Sequence, residues 1–259
     1  VTVVVAFLCS DGVVVAADSM LTPTVGNVQV GHHKGKKVSI LPGNQITAFA
    51  GDQGQALRFN NLAFINASLA QRVQSPLEYA LALASVVYQD FKNTGISEKV
   101  NLNTILTFPF GNRHKCCVFE AAMQPRMLDD EHYYVALGIG KLSADPFLRF
   151  LVDTFCIKGQ PKVTDAVFLA YWTVQHAIDT SSGGVDGPIR ISVGEESSNG
   201  TLVVRELSPN DYQEHGQAMD SAAQALRNWR DGLSSKIRLT DSLMPQITEV
   251  VSSATSKTP

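Results

Sequence analysis

The feature that most constrains this chain is a pair of uninterrupted apolar runs at its N-terminus. Val3-Val4-Val5-Ala6-Phe7-Leu8 and Val13-Val14-Val15-Ala16-Ala17 flank Ser10-Asp11-Gly12, a turn signal. Two β-branched runs joined through Asp-Gly predict a hairpin. The runs are continuous rather than alternating, so both faces of each strand must be buried. A hairpin of that kind needs cover on two sides, which excludes a simple sheet with one solvated face.

The remaining pattern supplies the cover. Lys37–Leu41 and Gln45–Ala50 flank Pro42-Gly43-Asn44 and predict a second hairpin. Asp52 is a candidate N-cap for a helix reaching to about Arg72. After Ser75-Pro76 a second helix carries Leu77, Leu81, Ala84, Tyr88 and Phe91 at one-face spacing. Strand-like runs follow at Leu102–Phe108, Lys115–Ala122 and His132–Leu137. Helical runs span Ser143–Phe155 and Thr164–Ile178, and two closing strands lie at Ile189–Val193 and Leu202–Leu207. Two sheets packed face to face with a helix pair outside each would bury every apolar face. The expected fold class is therefore α+β, a four-layer αββα sandwich.

From about Ser208 the character changes. Ala218, Ala222, Leu226 and Trp229 follow helical spacing, and Val251–Pro259 is rich in Ser, Thr and Lys, which predicts a mobile end. The expected division is a core domain over residues 2–207 and a helical extension with a mobile tail over residues 208–259.

Bulk properties narrow the function. A 259-residue chain that is 44% hydrophobic can bury one sizeable core. A net charge of −3 leaves no overall nucleic-acid footprint. The basic stretch His32, His33, Lys34, Lys36, Lys37 reads as a solvated loop before a strand, and neighbouring histidines on an extended chain point apart, so no metal site is expected. Asp129-Asp130-Glu131-His132 reads as an acidic turn. Gly138-Ile139-Gly140 is too short for a phosphate loop. Cys9, Cys116, Cys117 and Cys156 match neither a zinc nor a disulfide framework; adjacent Cys116 and Cys117 should face opposite sides of a strand. With no apolar run of membrane-spanning length and a strand beginning at once, the expectation is a soluble cytoplasmic protein without cofactor or membrane partner.

The chemistry-bearing residues lie at strand ends. Thr2 is the first nucleophilic side chain. Asp18 ends the second strand, Lys37 begins the third, Gly51 follows the fourth, and Asp179 and Ser182 precede Gly183-Gly184. A threonine hydroxyl needs a base at neutral pH. A free α-amine has an ordinary pKa of about 7.7 to 8.0 and can take that proton. A lysine ammonium nearby favours the neutral amine and the ionised hydroxyl, a carboxylate holds the lysine charged, and a glycine amide admits a developing oxyanion. Taken singly, Asp18, Lys37 and Asp179 could equally be structural ion-pair residues.

Together these residues resemble a known family. Thr2-Val-Val-Val, then Gly12-Val13-Val14-Val15-Ala16-Ala17-Asp18-Ser19, resembles the opening of proteasome β subunits and of the bacterial HslV peptidase. Lys36-Lys37-Val38 is similar to the family's Lys-Val start of its third strand, and Ala48-Phe49-Ala50-Gly51 to the strand end that supplies its oxyanion-hole glycine. Asp179-Thr180-Ser181-Ser182-Gly183-Gly184 is similar to its Asp-x-x-Ser-Gly-Gly. The likeness covers Thr2 to Leu207 and rests on order and spacing, since no single piece is specific. It implies an N-terminal nucleophile hydrolase in which Thr2 is nucleophile and, through its amine, base. It further implies that Asp18 and Lys37 form the charged pair beside it, Gly51 offers the oxyanion amide, and Asp179 and Ser182 order the amine and its water. Phe49 stands where the family's specificity-pocket wall lies, although a core phenylalanine fits the strand equally, and Met20 stands at the pocket rim. The implied activity is hydrolysis of unfolded polypeptides inside stacked homo-oligomeric rings of about six or seven subunits. An ATP-dependent unfoldase would be a separate partner, as this sequence has no nucleotide-binding motif.

Three departures from the family stand out. Val1 precedes Thr2 and would block its amine unless removed; a GUG start codon read as methionine and then cleaved would account for it. Isoleucine at 139 replaces the serine usual between two glycines, removing a hydroxyl from the amine-binding network. Met20 replaces a frequent arginine. The chain is also longer than HslV and in length and tail resembles the long bacterial relatives, Anbu and above all the β-proteobacterial homologue. Two other readings are a catalytically weak or inactive ring or scaffold subunit, like the proteasome α class, and an N-terminal nucleophile amidase. The missing N-terminal helix counts against the first. The Lys-Val and Ser-Gly-Gly arrangement counts against the second.

Overall fold

The computed structural model describes residues 2–25, 28–181, 183–197 and 199–254. The chain divides into two compact units, Val1–Tyr212 and Gln213–Pro259. In the first unit, β1 (Val4–Leu8) and β2 (Gly12–Ala17) form the expected hairpin and are buried almost throughout. Two-residue strands β3 (Met20–Leu21), β4 (Thr24–Val25), β5 (Val28–Gln29) and β6 (His33–Lys34) lead to β7 (Val38–Leu41) and β8 (Gln45–Gly51). Helices α1 (Gln53–Ile65) and α2 (Pro76–Asn93) follow, then β9 (Leu102–Phe110), β10 (Arg113–Glu120), β11 (Gln124–Met127) and β12 (Tyr134–Leu137). Helices α3 (Lys141–Phe155) and α4 (Val163–Thr180) and strands β13 (Arg190–Glu196) and β14 (Leu202–Glu206) complete the unit.

Two five-stranded antiparallel sheets result, ordered β12-β1-β2-β13-β14 and β11-β10-β9-β8-β7. They touch through β1, β2 and β13 on one side and β7, β8 and β10 on the other. Helices α3 and α4 pack on the first sheet, α1 and α2 on the second. This packing explains why β1 and β2 carry no polar alternation: each is covered by helices on one face and the facing sheet on the other. Cys116 and Cys117 separate as expected, Cys116 into the cluster with Val5 and Val15, Cys117 into the cluster with Phe59 and Phe91.

Local capping sets the helix limits. The Asp52 side chain accepts from the Gln55 amide at 2.8 Å and Ser75 from Glu78 at 3.1 Å, both N-caps. The first helix stops well short of Arg72. At Asn66 the backbone and side-chain amides both turn back to the Leu62 carbonyl, at 3.1 and 2.9 Å, and a short 3-10 turn over Ala67–Gln71 follows. The face expected for α2 is also corrected. Tyr79, Ala80, Leu83, Ala84, Val87 and Phe91 are buried, whereas Leu77, Leu81 and Tyr88 are exposed. Apolar residues cover more than half of this helix, so spacing alone does not choose the stripe; Tyr79, edge-on to Phe108 at 4.6 Å, does. The strand expected to run to Ala122 ends at Glu120, because Ala121, Ala122 and Met123 all take positive φ in a turn that leads to β11, a strand absent from the expectation.

The first unit continues past Leu207 through a 3-10 turn at Pro209–Tyr212, where the Tyr212 hydroxyl donates to the Ile189 carbonyl at 3.0 Å. The second unit is one helix, α5 (Gln213–Ala254). It includes the first residues of the stretch expected to be mobile; residues 255–259 lie outside the described ones. No helix among the described residues is long and apolar enough to cross a membrane.

Candidate active site

The hairpin register brings two expected site residues together. Val4 pairs with Ala17, so Thr2 and Asp18 lie just beyond the paired ends. The Val3 amide donates to Asp18 Oδ1 at 2.9 Å, one residue from Thr2. The Met20 amide donates to Oδ2 at 3.0 Å and the Asp186 amide to the same oxygen at 3.4 Å. Lys37, immediately before β7 of the other sheet, places its Nζ 2.8 and 2.9 Å from the two carboxylate oxygens. Both side chains are fully withdrawn from solvent. A buried carboxylate is tolerable only when its lone pairs are filled, and Asp18 has one ammonium and three amides. Burial pushes the Lys37 amine below its ordinary value, and Asp18 opposes that shift by charge and hydrogen bond.

Thr2 is itself 5% exposed and lines a cleft of about 970 Å³. Gly51 lines it too, at the end of β8, with φ of +117°. A Cβ there would fall 2.1 Å from the Asn101 carbonyl oxygen, so the approach of β9 requires glycine. The first turn of α1 contributes Gln53 and Gly54 to the same wall. A helix N-terminus bordering the cleft favours negative charge beside it.

The glycine pair that flanks Ile139, too short for a phosphate loop, also belongs here. The Gly140 amide donates to the Thr2 carbonyl at 3.0 Å. Gly138, at φ +85°, passes so close that a Cβ would sit 2.2 Å from the same oxygen, and one on Gly140 would meet Val3 Cβ at 2.8 Å. Gly138-Ile139-Gly140 is thus a cradle for the Thr2 backbone, and between the glycines Ile139 is 60% exposed on the cleft. The signal was visible as Gly-x-Gly after a strand, but only the fold reveals what the glycines clear.

Other expected residues lie elsewhere. Phe49 is 5% exposed in the cluster under α1 and α2, beside Phe59 and Phe91, and does not line the cleft; Ala48 and Ala50, on the opposite face of β8, turn toward the other sheet. Strand alternation thus packs Phe49 into the core, the alternative the sequence also allowed. Met20 is half-buried, contacts Asp18 through its amide, and leaves the cleft wall to Leu21 and Thr22. Asp179, on the last turn of α4, is exposed and accepts from Gln175 Nε2 at 2.7 Å; it is not a cleft residue. Ser182 and Val1 lie outside the described residues. The cleft also carries Asp52, Glu120 and Asp145, with Lys141 3.7 Å from Asp145 and Arg126 3.4 Å from Glu120. No metal-holding group of His, Cys, Asp or Glu occurs among the described residues.

The fold and site define an α+β chain of two facing sheets with a buried carboxylate–ammonium pair behind a threonine near the N-terminus. Among solved structures the fold is similar to that of Anbu, an ancestral beta-subunit. A Gly-1 mutant of Anbu from Hyphomicrobium sp. strain MC1 superposes with a TM-score of 0.64 at 18% identity, over 88% of this chain and 97% of that one. Anbu from Yersinia bercovieri gives 0.63 at 15% identity, over 87% and 95%. At such identities the likeness is one of fold. No family model and no curated protein matches the sequence.

Proposed function

We propose that this chain is a threonine peptidase of the proteasome β type, an N-terminal nucleophile hydrolase with the αββα sandwich of that class. The observation that carries the reading is the Asp18–Lys37 pair, buried and tied through the Val3 amide to the residue after Thr2. Isolated ion pairs of that burial are costly, and they persist where a charge is required.

In this reading Thr2 Oγ attacks a peptide carbonyl carbon while the Thr2 α-amine accepts the hydroxyl proton. The Lys37 ammonium, held charged by Asp18, lowers the cost of ionising the hydroxyl. The Gly51 amide and the N-terminus of α1 stabilise the oxyanion. The C–N bond then breaks, and the departing amine takes the proton held by the α-amine. An ester to Thr2 remains, and water cleaves it by the same acid–base route, regenerating the hydroxyl. The scheme requires Thr2 to be the first residue of the working chain. Asp179 and Ser182 are proposed to order the amine, Asp179 after release from Gln175.

The likeness of fold to Anbu supports self-assembly; rings enclosing the clefts, unfolded polypeptide as substrate and any ATP-dependent unfoldase as a separate protein are part of the proposal. Cytoplasmic work suits the free Cys9, Cys116, Cys117 and Cys156. The extension beyond residue 207 is proposed to act in assembly or access; cutting the chain after Tyr212 should then change ring mass or turnover.

A second reading, a weak or inactive ring subunit, is favoured by two observations: Ile139 in place of a hydroxyl, and Asp179 bonded to Gln175. Intact mass before and after a peptide epoxyketone separates the two. That reagent closes a ring using both Thr2 Oγ and a free α-amine. One adduct on a chain beginning at Thr2 supports the peptidase; an unmodified chain beginning at Thr2 supports the inactive subunit.

A further inference from the structure

Among the described residues, the Asp18–Lys37 pair has a second ionic bridge beside it that crosses between the sheets at the same place. The second is built on Glu206, at the end of β14. Its Oε1 accepts from Arg190 Nη1 at 2.8 Å, and its Oε2 from Lys36 Nζ at 2.6 Å. Lys36 immediately precedes Lys37. Arg190 pairs in register with Ala17, which immediately precedes Asp18. Both ends of the buried bridge are therefore flanked, one residue away, by an end of the outer bridge. Glu206 and Arg190 belong to the first sheet and Lys36 leads into the second, so the outer bridge spans the same junction.

The outer bridge is only partly withdrawn from water, with the Glu206 side chain 30% exposed. Burial alone would raise the Glu206 carboxyl; the hydrogen bonds and charges of Lys36 and Arg190 outweigh that and hold it below the usual range. The Arg190 Nε is buried and makes no hydrogen bond among the described residues. Its guanidinium therefore depends on Glu206 for a carboxylate partner.

We infer that Glu206 is a positioning residue: it anchors the backbone at Lys36 and Arg190 and so holds Lys37 sealed against Asp18. This rests on the reading of Lys37 as the charge beside Thr2, but its structural half stands without it. Surface ion pairs are individually weak. What this one adds is location, since a shift of an ångström in a charged group beside a nucleophile is expensive in rate.

The test compares the full chain with Glu206→Ala and Glu206→Gln by two readouts. The first is labelling of folded protein by a small amine-acylating reagent, followed residue by residue by mass spectrometry. Lys37 is 1% exposed and should label very slowly in the parent chain. Both variants should speed Lys37 labelling about fivefold, the size expected from loss of a partly exposed double ion pair. Half-buried Lys115, on β10, should be unchanged. The second readout is peptide hydrolysis, where kcat should fall with KM nearly constant. Unchanged Lys37 labelling, or a rise shared by Lys115, overturns the proposal. A parent chain that labels as expected but never turns over peptide refutes the peptidase reading instead, and leaves the labelling result to decide Glu206.

Discussion

The ammonium of Lys37 crosses from the second sheet to close a two-oxygen contact with Asp18, 2.8 and 2.9 Å from its carboxylate oxygens, with neither group in contact with solvent. Removing one partner strands the other. Lys37→Met should cost about 3–5 kcal/mol of stability, since three amides remain on Asp18 but no cation does. Thr2→Ala, which leaves the pair intact, should cost far less. Urea unfolding of the two variants measures the difference. On the proposed mechanism both abolish peptide hydrolysis, so stability and activity part company only for Thr2→Ala.

The two glycine contacts around Thr2 allow a second expectation. Gly138→Ala would drive a Cβ to 2.2 Å from the Thr2 carbonyl oxygen at a φ of +85°. The conformation alone costs about 1–3 kcal/mol, and the clash must be relieved by moving the cradle off Thr2. Gly51→Ala meets the Asn101 carbonyl in the same way at 2.1 Å. Both variants should melt lower than the parent, and any peptide turnover should be lost. Scanning calorimetry with a fluorogenic peptide assay checks both. A Gly138→Ala chain with parental melting would contradict the contact.

Ile139 makes a different case, because its side chain is 60% exposed and holds nothing up. Ile139→Ser should change stability by less than about 0.5 kcal/mol. If a missing hydroxyl limits the chemistry at Thr2, the same change should raise turnover with little effect on KM. Steady-state kinetics of parent and variant decide it, and equal kcat values would remove Ile139 from the account of activity.

The hairpin of β1 and β2 was legible in the sequence as local pattern, whereas the Asp18–Lys37 pairing and the place of Gly51 were expected only through the family resemblance, which rests on order along the chain. Continuous apolar runs can only be doubly covered strands, and strand-end positions converge once two sheets face each other. What was not legible depended on relations between distant backbones. The burial of Phe49 follows from which face of β8 meets the helices. The Gly138–Gly140 cradle follows from the path of the chain after β12. On α2 the apolar surplus hid the stripe, and the turn at Ala121–Met123 uses three residues that rarely take positive φ, so no turn chemistry announced it. Glu206 had no signal at all: its partners are 16 and 170 residues away.

Buried His114 gives the last expectation, and it concerns acid. The ring lies on β10 between the sheets, where a Cβ on Gly194 would be 2.9 Å from its Cε1 and Nε2. Neither ring nitrogen finds a hydrogen-bond partner among the described residues. Burial drives the imidazole down from 6.5 to about 4. The unfolded chain therefore binds this proton near pH 6.5 and the folded chain only near pH 4. Between those values the unfolded state holds more protons, so stability falls as pH drops through the window and levels off below it. The shift is worth about 3 kcal/mol in total. Other groups, among them Asp90 and Asp211, whose carboxyls are held below their usual range, also lose stability in acid, so the parent's curve alone does not isolate the histidine. His114→Leu does. It removes two unpaired nitrogens, which should leave stability at pH 7 equal or higher. Urea unfolding at pH 7 and pH 4.5 should show the variant gaining on the parent by roughly 2–3 kcal/mol as the pH falls. A constant difference between the two chains would mean that His114 does not stay neutral in the folded protein.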